Sequence, residues 1–440
     1  MTEGGKFRRG RRWLAGIAAA VLILLAVVVG VARLLLPMAP EYQDEIRRIA
    51  SEATGFDVRF GRLSATWPIS GPEIQLYEVR IATLDGGHPV LAAGELSVGV
   101  SLWQLIVEQR LRPGRIAVSG ASMRIEHLPS GEWQLNGVPL DKLLRQPSDP
   151  EMPRLDLRLE DIALVAVDPA RLESTVKLHV EQCDLNLAPD LVRIKAHFNG
   201  EDGLGNSIEL TGELPSGLLR QRLNSGTQVA QSTGPAVDWN LNVAGKDLDI
   251  ARWLRVVVNQ PVPLMSGRGA LELNAGFSGT VPREISINMA LGPTRWAGLT
   301  DTQNNYQSLN LRGPWVGTSD GWEATLGRFA AERDGQVAPA ATGRLRFTRA
   351  TKDPASIEAA ASALRLQDLW PVLRSFASSG LQHEVLPALV QGTVDNLQLS
   401  ASLPADAPPT YKVEAKFRTR CQDAGARLGS GRRVWQLERQ

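Results

Sequence analysis

Few side chains in this 440-residue chain are of the kinds that do covalent or metal chemistry, and their spacing does not suit it. The five histidines, His88, His127, His179, His197 and His383, show neither the HExxH spacing of a zinc peptidase nor a Cys/His ligand pattern. His179 and His197 fall within alternating stretches, where a solvent-facing or locally hydrogen-bonded imidazole is expected. One Gly-x-Ser-x-Gly run exists, GTSDG from Gly317 to Gly321. A nucleophile elbow needs a strand before it and a helix after it. The strand-like WEATLG follows instead, so a hairpin turn is predicted and Ser319 is not read as a nucleophile. Gly203 and Gly205 of EDGLGN lack a phosphate-cradling context and read as a hairpin loop. GPTRW and GPWVG read as turns, and Glu160–Asp161 as a strand end followed by a turn. Two cysteines, Cys183 and Cys421, do not make a disulfide framework, and a bridge between them is not expected. No catalytic residue, metal ligand or cofactor is therefore expected, and the chain does not read as an enzyme.

Apolar alternation is what the sequence has in quantity. Hydrophobic residues make up 43% of the chain and the net charge is +1, with arginine spread along the length, which gives no reason to expect nucleic acid. Forty-one glycines and 27 prolines call for many turns. The stretch ELSVGVSLWQL shows the pattern plainly: Leu96, Val98 and Val100 fall on one side of an extended chain, Ser97 and Gly99 on the other.

The N-terminus has a different character. KFRRGRR is followed by Trp13 to Ala32 without a charge, and about 20 apolar residues span the ~30 Å core of a bilayer. The basic flank predicts a cytoplasmic head over residues 1–12, a membrane anchor over 13–36 and export of the remainder. A cleaved signal peptide fits less well, because the apolar run is long and LLLP follows it. PEYQDEIRRIASEATG is an amphipathic helix by the spacing of Tyr42, Ile46, Ile49 and Ala53, stopped by Gly55.

Strands follow. FDVRFGRLSATW alternates, and PEIQLYEVRIAT alternates with a phase shift at Tyr77 that predicts a bulge. RIAVSGASMRIEH and EWQL form a hairpin turning at PSG. From Pro153 the theme repeats with drifting register, and about 20 strand candidates result. Three segments read as helices: SLWQLIVEQRL, DIARWLRVVVNQ opened by Asp249, and LQDLWPVLRSFASS. The phrases KDLDIARW and LRLQDLW hint at a loose repeat. The prediction is a mainly β chain with one apolar face, closed on itself as a sandwich or left open as a trough.

The order of features resembles the AsmA-like family of Gram-negative envelope proteins and, within it, its large YhdP-like members. It runs from a basic head and one apolar helix ending in LLLP, through EYQDEIRRIASEATGFDVRFGRLSATW and GPEIQLYEVRI, to LAAGELSVGVSLWQLIVEQRLRPGRIAVSGASMRIEHLPSGEWQL. The resemblance implies an AsmA-like β-groove region over residues 40–140 and a middle β-rich domain over 150–417. It further implies an inner-membrane anchor, a long twisted antiparallel β-groove (taco-like) in the periplasm, and phospholipid movement between inner and outer membrane. Phospholipids, the inner membrane through residues 13–36, and envelope proteins are the implied partners. The lipid-lining set is Leu96, Val98 and Val100, then Ile116, Val118 and Ile125, then Leu155, Leu157 and Leu159. It continues with Val176, Leu178 and Val180, with Val192, Ile194 and Phe198, and with Ile208, Leu210, Leu241 and Val243. A rival of another class is a non-catalytic envelope assembly factor with a closed β core.

The end of the chain departs from this pattern. YhdP-like members are much longer, and FRTRCQDAGARLGSGRRVWQLERQ loses alternation after Phe417 while arginines crowd in. Residues 418–440 are expected to be a frame-shifted or disordered basic tail on a truncated copy.

Overall fold

Alternation becomes strand over most of the chain. A computed structural model describes residues 41–67, 72–84, 89–100, 113–140, 155–170, 174–218, 237–258, 262–279, 281–297, 306–350, 354–365, 393–403, 410–418 and 432–439. The expected anchor over 13–36, the helices at SLWQLIVEQRL and LQDLWPVLRSFASS, and His88, His383 and Cys421 lie outside the described residues. No described helix is long and apolar enough to cross a membrane.

The first elements are α1 (Gln43–Thr54), β1 (Phe56–Arg59), β2 (Arg62–Thr66), β3 (Glu73–Thr83), β4 (Pro89–Val100) and β5 (Pro113–His127). After them come β6 (Trp133–Leu135), β7 (Val138–Pro139), β8 (Leu155–Val167), β9 (Thr175–Leu187), β10 (Leu191–Gly200), β11 (Gly205–Pro215) and β12 (Asp238–Asp249). Next are α2 (Ile250–Val257), β13 (Leu264–Ser278), β14 (Val281–Trp296), β15 (Tyr306–Thr318), β16 (Gly321–Arg333) and β17 (Gln336–Val337). The last are β18 (Ala341–Thr348), β19 (Ala355–Arg365), β20 (Thr393–Leu403), β21 (Thr410–Arg418) and β22 (Arg432–Arg439).

All 22 strands of the described residues belong to one sheet. Its spine runs β3-β4-β5-β8-β9-β10-β11-β12-β13-β14-β15-β16-β18-β19-β20-β21-β22, with β1 and β2 sharing the outer edge of β3. The sheet is large, twisted and open. Two expectations need correcting. The sheet is mixed rather than antiparallel throughout, because β5 and β8 run parallel, Arg115 to Glu126 against Asp156 to Val167. A parallel partner requires the chain to travel back along the strand, so β5 and β8 are not joined by a hairpin. The closed sandwich also falls away among the described residues, since no second sheet exists for the apolar face to meet.

The helix α1 ends as predicted. Gly55 takes φ +71 and its N–H donates to Ser51 O at 2.9 Å, the αL stop that glycine allows without strain. Its apolar stripe is narrower than expected. Ile46 packs on the cluster of Phe60, Leu63, Leu76 and Val79, but Tyr42 and Ile49 are exposed. Arg47 pins the helix to the sheet by donating to Phe60 O at 2.9 Å.

Through the first strands the parity changes lie at one level of the sheet. At Glu78, φ +55, β3 changes parity with no shift of register against β4, so Leu76 and Val79 are both buried on the same side. Flanking pairs place Gly94, Gly120 (φ +63), Asp161 (φ +54) and Glu181 at the same level of β4, β5, β8 and β9. Each strand shifts parity there, and the core positions stay aligned because all five shift together. The seam reaches the sheet edge at Phe60–Gly61, where the expected single strand is split into β1 and β2. Glu160–Asp161, read as a strand end, is this seam crossing mid-β8. GPTRW and GPWVG are likewise not turns. They lie within β14 and β15, where register shifts beside Pro293 and Pro314 take up residues that cannot donate to the ladder.

Candidate functional site

The register assembles the aliphatic residues into transverse rows, one residue per strand. Directly paired residues share a face, so a row can be followed from strand to strand. One row runs Ala65, Ile74, Val98, Ile116, Leu157, Leu185, Ile194 and Gly212. It continues through Leu241, Ala275, Ile285, Trp315, Ala324, Leu345, Ala359 and Leu399. Its backbone register carries on to the positions of Val413 and Leu437. No member is polar. Gly212 is no gap, for Leu241 Cδ1 and Ile194 Cγ2 close over it.

The adjacent row joins Leu96, Val118, Leu159, Cys183, Ala196, Leu210 and Val243. Leu155, Leu187 and Val192 form another on its far side, and Val100 pairs with Pro113 along the backbone. Beyond the seam lie Ile162, Val180, Phe198 and Ile208, then Leu164 with Leu178, then Ile125, Ala166 and Val176. Every position in the predicted lining set therefore maps to one face of the sheet. The prediction missed the residues that connect them, notably Cys183, Ala196 and Leu185. Cys183 and Ala196 are small and carry a weaker alternation signal, whereas Leu185 alternates with Leu187 as plainly as the residues in the set.

That face is only half covered. Leu157, Leu185, Ile194, Leu241, Ile285 and Leu399 are half-buried, flanked by ladder neighbours, and Leu345 is 38% exposed. Full burial is concentrated along the seam, at Ile162, Val180 and Cys183, and under α2. Asp249 caps α2 by accepting from Arg252 N at 3.0 Å, as the sequence predicted. Ile250 and Ala251 then pack on Ile208, Leu248, Leu264 and Leu291. The loop EDGLGN serves this corner. Gly205 takes φ +139, Leu204 is buried completely, and Trp253 Nε1 donates to Leu204 O at 3.0 Å.

The opposite face is polar across the same strands. Its row reads Gln75, Ser97, Ala117, Arg158, Asp184, Lys195, Thr211, Asn242 and Asn274. Arg158 Nε sits 2.7 Å from Asp184 Oδ1, and Arg193 Nε 2.9 Å from Glu213 Oε1. Partial burial works to raise the Asp184 pKa, but hydrogen bonds from Arg158 and Gln182 outweigh it and hold the carboxyl below its usual range. A depression of about 740 Å³ lies here among Arg158, Asp184, Arg193 and Lys195. Its charges are largely spent on one another, so it offers little to a ligand. On the apolar side, burial and then the nearby Asp184 charge push the Cys183 thiol pKa up, which keeps the sulfur neutral.

The other chemistry-bearing residues fall into structural places. Ser319 and Asp320 form the two-residue turn between β15 and β16, so GTSDG is a hairpin. Gly203 lies in the β10–β11 turn. His197 Nδ1 is 3.0 Å from Glu181 Oε2, and His179 Nε2 is 3.6 Å from Asp161 Oδ1, both on the polar face. Among the described residues no group of histidine, cysteine and carboxylate has metal-holding geometry.

Among the described residues, a single open sheet, apolar on one side and ion-paired on the other, defines a β-scaffold protein with a partly covered hydrophobic floor. The chain belongs to the YhdP protein family, whose model matches residues 1–425. It is 28% identical over 340 residues to the intermembrane phospholipid transporter YhdP of Escherichia coli (strain K12), a match covering 73% of this chain and 24% of that protein. The chain thus spans about a quarter of that relative's length. No solved structure matches it with significance. The tail also differs from expectation in form, since Arg432–Arg439 pairs antiparallel with Tyr411–Arg418 as the last strand of the sheet.

Proposed function

We propose that this protein is anchored in the inner membrane by residues 13–36 and exposes its sheet to the periplasm. There the apolar face holds phospholipid acyl chains and helps pass them toward the outer membrane. The observation that carries this reading is the unbroken apolar row, which crosses the sheet from Ala65 to Leu399 with most of its side chains only half-buried. A soluble sheet leaves such a face open only at a cost, and acyl chains recover it at about 0.8 kcal/mol per CH₂ covered. The relative's name, an intermembrane phospholipid transporter, supports the choice of guest.

The dimensions suit movement rather than storage. At ~4.8 Å per strand, the spine from β3 to β22 extends roughly 75 Å. One acyl chain reaches about 15 Å, half of a ~30 Å bilayer core. A lipid therefore covers only a few strands at a time and meets a similar surface at each step. The face holds no energy source, so direction comes from outside it. Photoreactive residues placed at Val98, Leu178 and Leu210 in cells should yield phospholipid adducts, while a polar-face control at Thr211 should not. Adducts with protein alone at all three positions would overturn the proposal.

A further inference from the structure

One end of the apolar floor finishes in a polar, aromatic rim. His127 is the last residue of β5 and has the same parity as Met123 and Ile125, so it stands on the apolar side. Trp133 pairs with it across the β5–β6 hairpin and stacks on it, with ring centroids 4.6 Å apart and an interplanar angle of 26°. Asp168 follows the end of β8 on the same side, and its Oδ2 lies 3.2 Å from His127 Nδ1. The other carboxylate oxygen is set by Ala170 N, at 3.1 Å. Trp133 remains 44% exposed, whereas the His127 and Asp168 side chains are 27% and 19% exposed.

Immediately inward of this cluster lies apolar surface, Ile125 beside Leu135 and Ala166, and Ala166 beside Val176. An exposed tryptophan between an apolar floor and water is the arrangement its ring favours at a bilayer interface. The carboxylate at Nδ1 fixes the ring's orientation, and an imidazolium, with a proton on each nitrogen, would donate from Nε2 to a second anion. Among the described residues Nε2 has no protein partner. The geometry points to a seat for the phosphodiester of a phospholipid headgroup. His127 Nε2–H donates to a phosphate oxygen, Asp168 acts as the positioning residue behind it, and Trp133 packs against the glycerol region. The chains then lie on the floor from Ile125 and Val176 inward. This assignment rests on the proposed lipid-carrying face and adds a point at which the lipid's polar end is recognised.

The test uses the full chain in detergent with a photoreactive residue at Leu164, which faces the floor beside Leu178. Labelling is competed by a short-chain phosphatidylglycerol, by a diacylglycerol with the same chains, and by glycerol phosphate without chains. In the wild type the phospholipid should compete about tenfold better than the diacylglycerol, the discrimination expected of one hydrogen bond to a charged group. His127→Leu, which keeps an apolar contact for Trp133, should remove that preference while diacylglycerol competition is unchanged. Unchanged diacylglycerol competition also shows that the variant is folded. Retained preference in His127→Leu would overturn the seat and leave the carrying face intact. Equal competition by glycerol phosphate would make this a general anion site and also overturn it. If neither chain-bearing competitor protects Leu164, the carrying face itself is wrong.

Discussion

Replacing Leu185 by arginine separates an open floor from a sealed core. Leu185 lies mid-row between Leu157 and Ile194, half-buried, with no second sheet above it among the described residues. Burying a whole leucine side chain contributes about 1.5–3 kcal/mol, so a half-buried one contributes roughly 1 kcal/mol. On an open face the arginine stem can lie along Leu157 and Ile194 while its head reaches water. The expected loss for Leu185→Arg is therefore about 1–2 kcal/mol. Ile162→Arg is the contrast. Ile162 is 1% exposed within the seam cluster, and an unpaired charge there should cost more than about 4 kcal/mol. Urea unfolding followed by tryptophan fluorescence reads both. Leu185→Arg should unfold close to the wild type yet lose most lipid crosslinking at a neighbouring floor position, because a charge now interrupts the apolar row. Should Leu185→Arg unfold as readily as Ile162→Arg, the floor is not open and the argument for a lipid-carrying face fails with it.

Four smaller tests probe other parts of the structure. Asp249→Ala removes the α2 cap and should cost about 1 kcal/mol, seen as a change in Trp253 emission before global unfolding. Gly313→Ala would set a Cβ 1.9 Å from Thr325 O, so the β15–β16 ladder must shift, and about 1–3 kcal/mol should be lost in the same unfolding assay. The folded Asp184 carboxyl has a lowered pKa, so its contribution is present above the unfolded value near 4 and fades as pH falls through the folded one. Arg158 and Asp184 are 50% and 36% exposed, which limits the pair to under about 1 kcal/mol after solvent screening. Asp184→Asn should flatten the acid limb of the stability curve below about pH 4 by that amount and leave neutral stability little altered beyond it. Cys183 should react with a maleimide at least tenfold more slowly in the folded chain than in urea, since it is 8% exposed and its thiol pKa is raised.

Much of this architecture was legible because period-two alternation is a property of single strands. Leu96–Val98, Leu155–Leu159 and Val192–Phe198 each announced a face, and the phase shift near Tyr77 announced the parity change at Glu78, where the register against β4 is unshifted and the predicted bulge is absent. Which strand lies beside which is a property of pairs, and alternation is silent on it. The parallel β5–β8 contact could not be read for that reason. The seam was visible at Tyr77 alone, Glu160–Asp161 read as a strand end, and the alignment of the shifts across five strands exists only in the assembled ladder. GPTRW and GPWVG misled because proline next to glycine normally marks a turn, whereas here each proline occupies a register shift inside a long strand. The rim cluster was hidden for another reason. His127, Trp133 and Asp168 are separated in sequence, and only the hairpin at Leu128–Gly131 and the parallel strand bring them together.

The seam of parity changes bears on how so long a ribbon finds its alignment. Neighbouring strands made mostly of leucine, isoleucine, valine and alanine could slide by two positions and still match oil to oil. Glu78, Gly94, Gly120, Asp161 and Glu181 act as notches cut at one height in successive slats. A slat displaced by two would set its notch against a neighbour's smooth edge, turning apolar groups outward over half its length. The first half of the ribbon therefore carries its own alignment mark, and the later strands can add to a template whose height is already fixed.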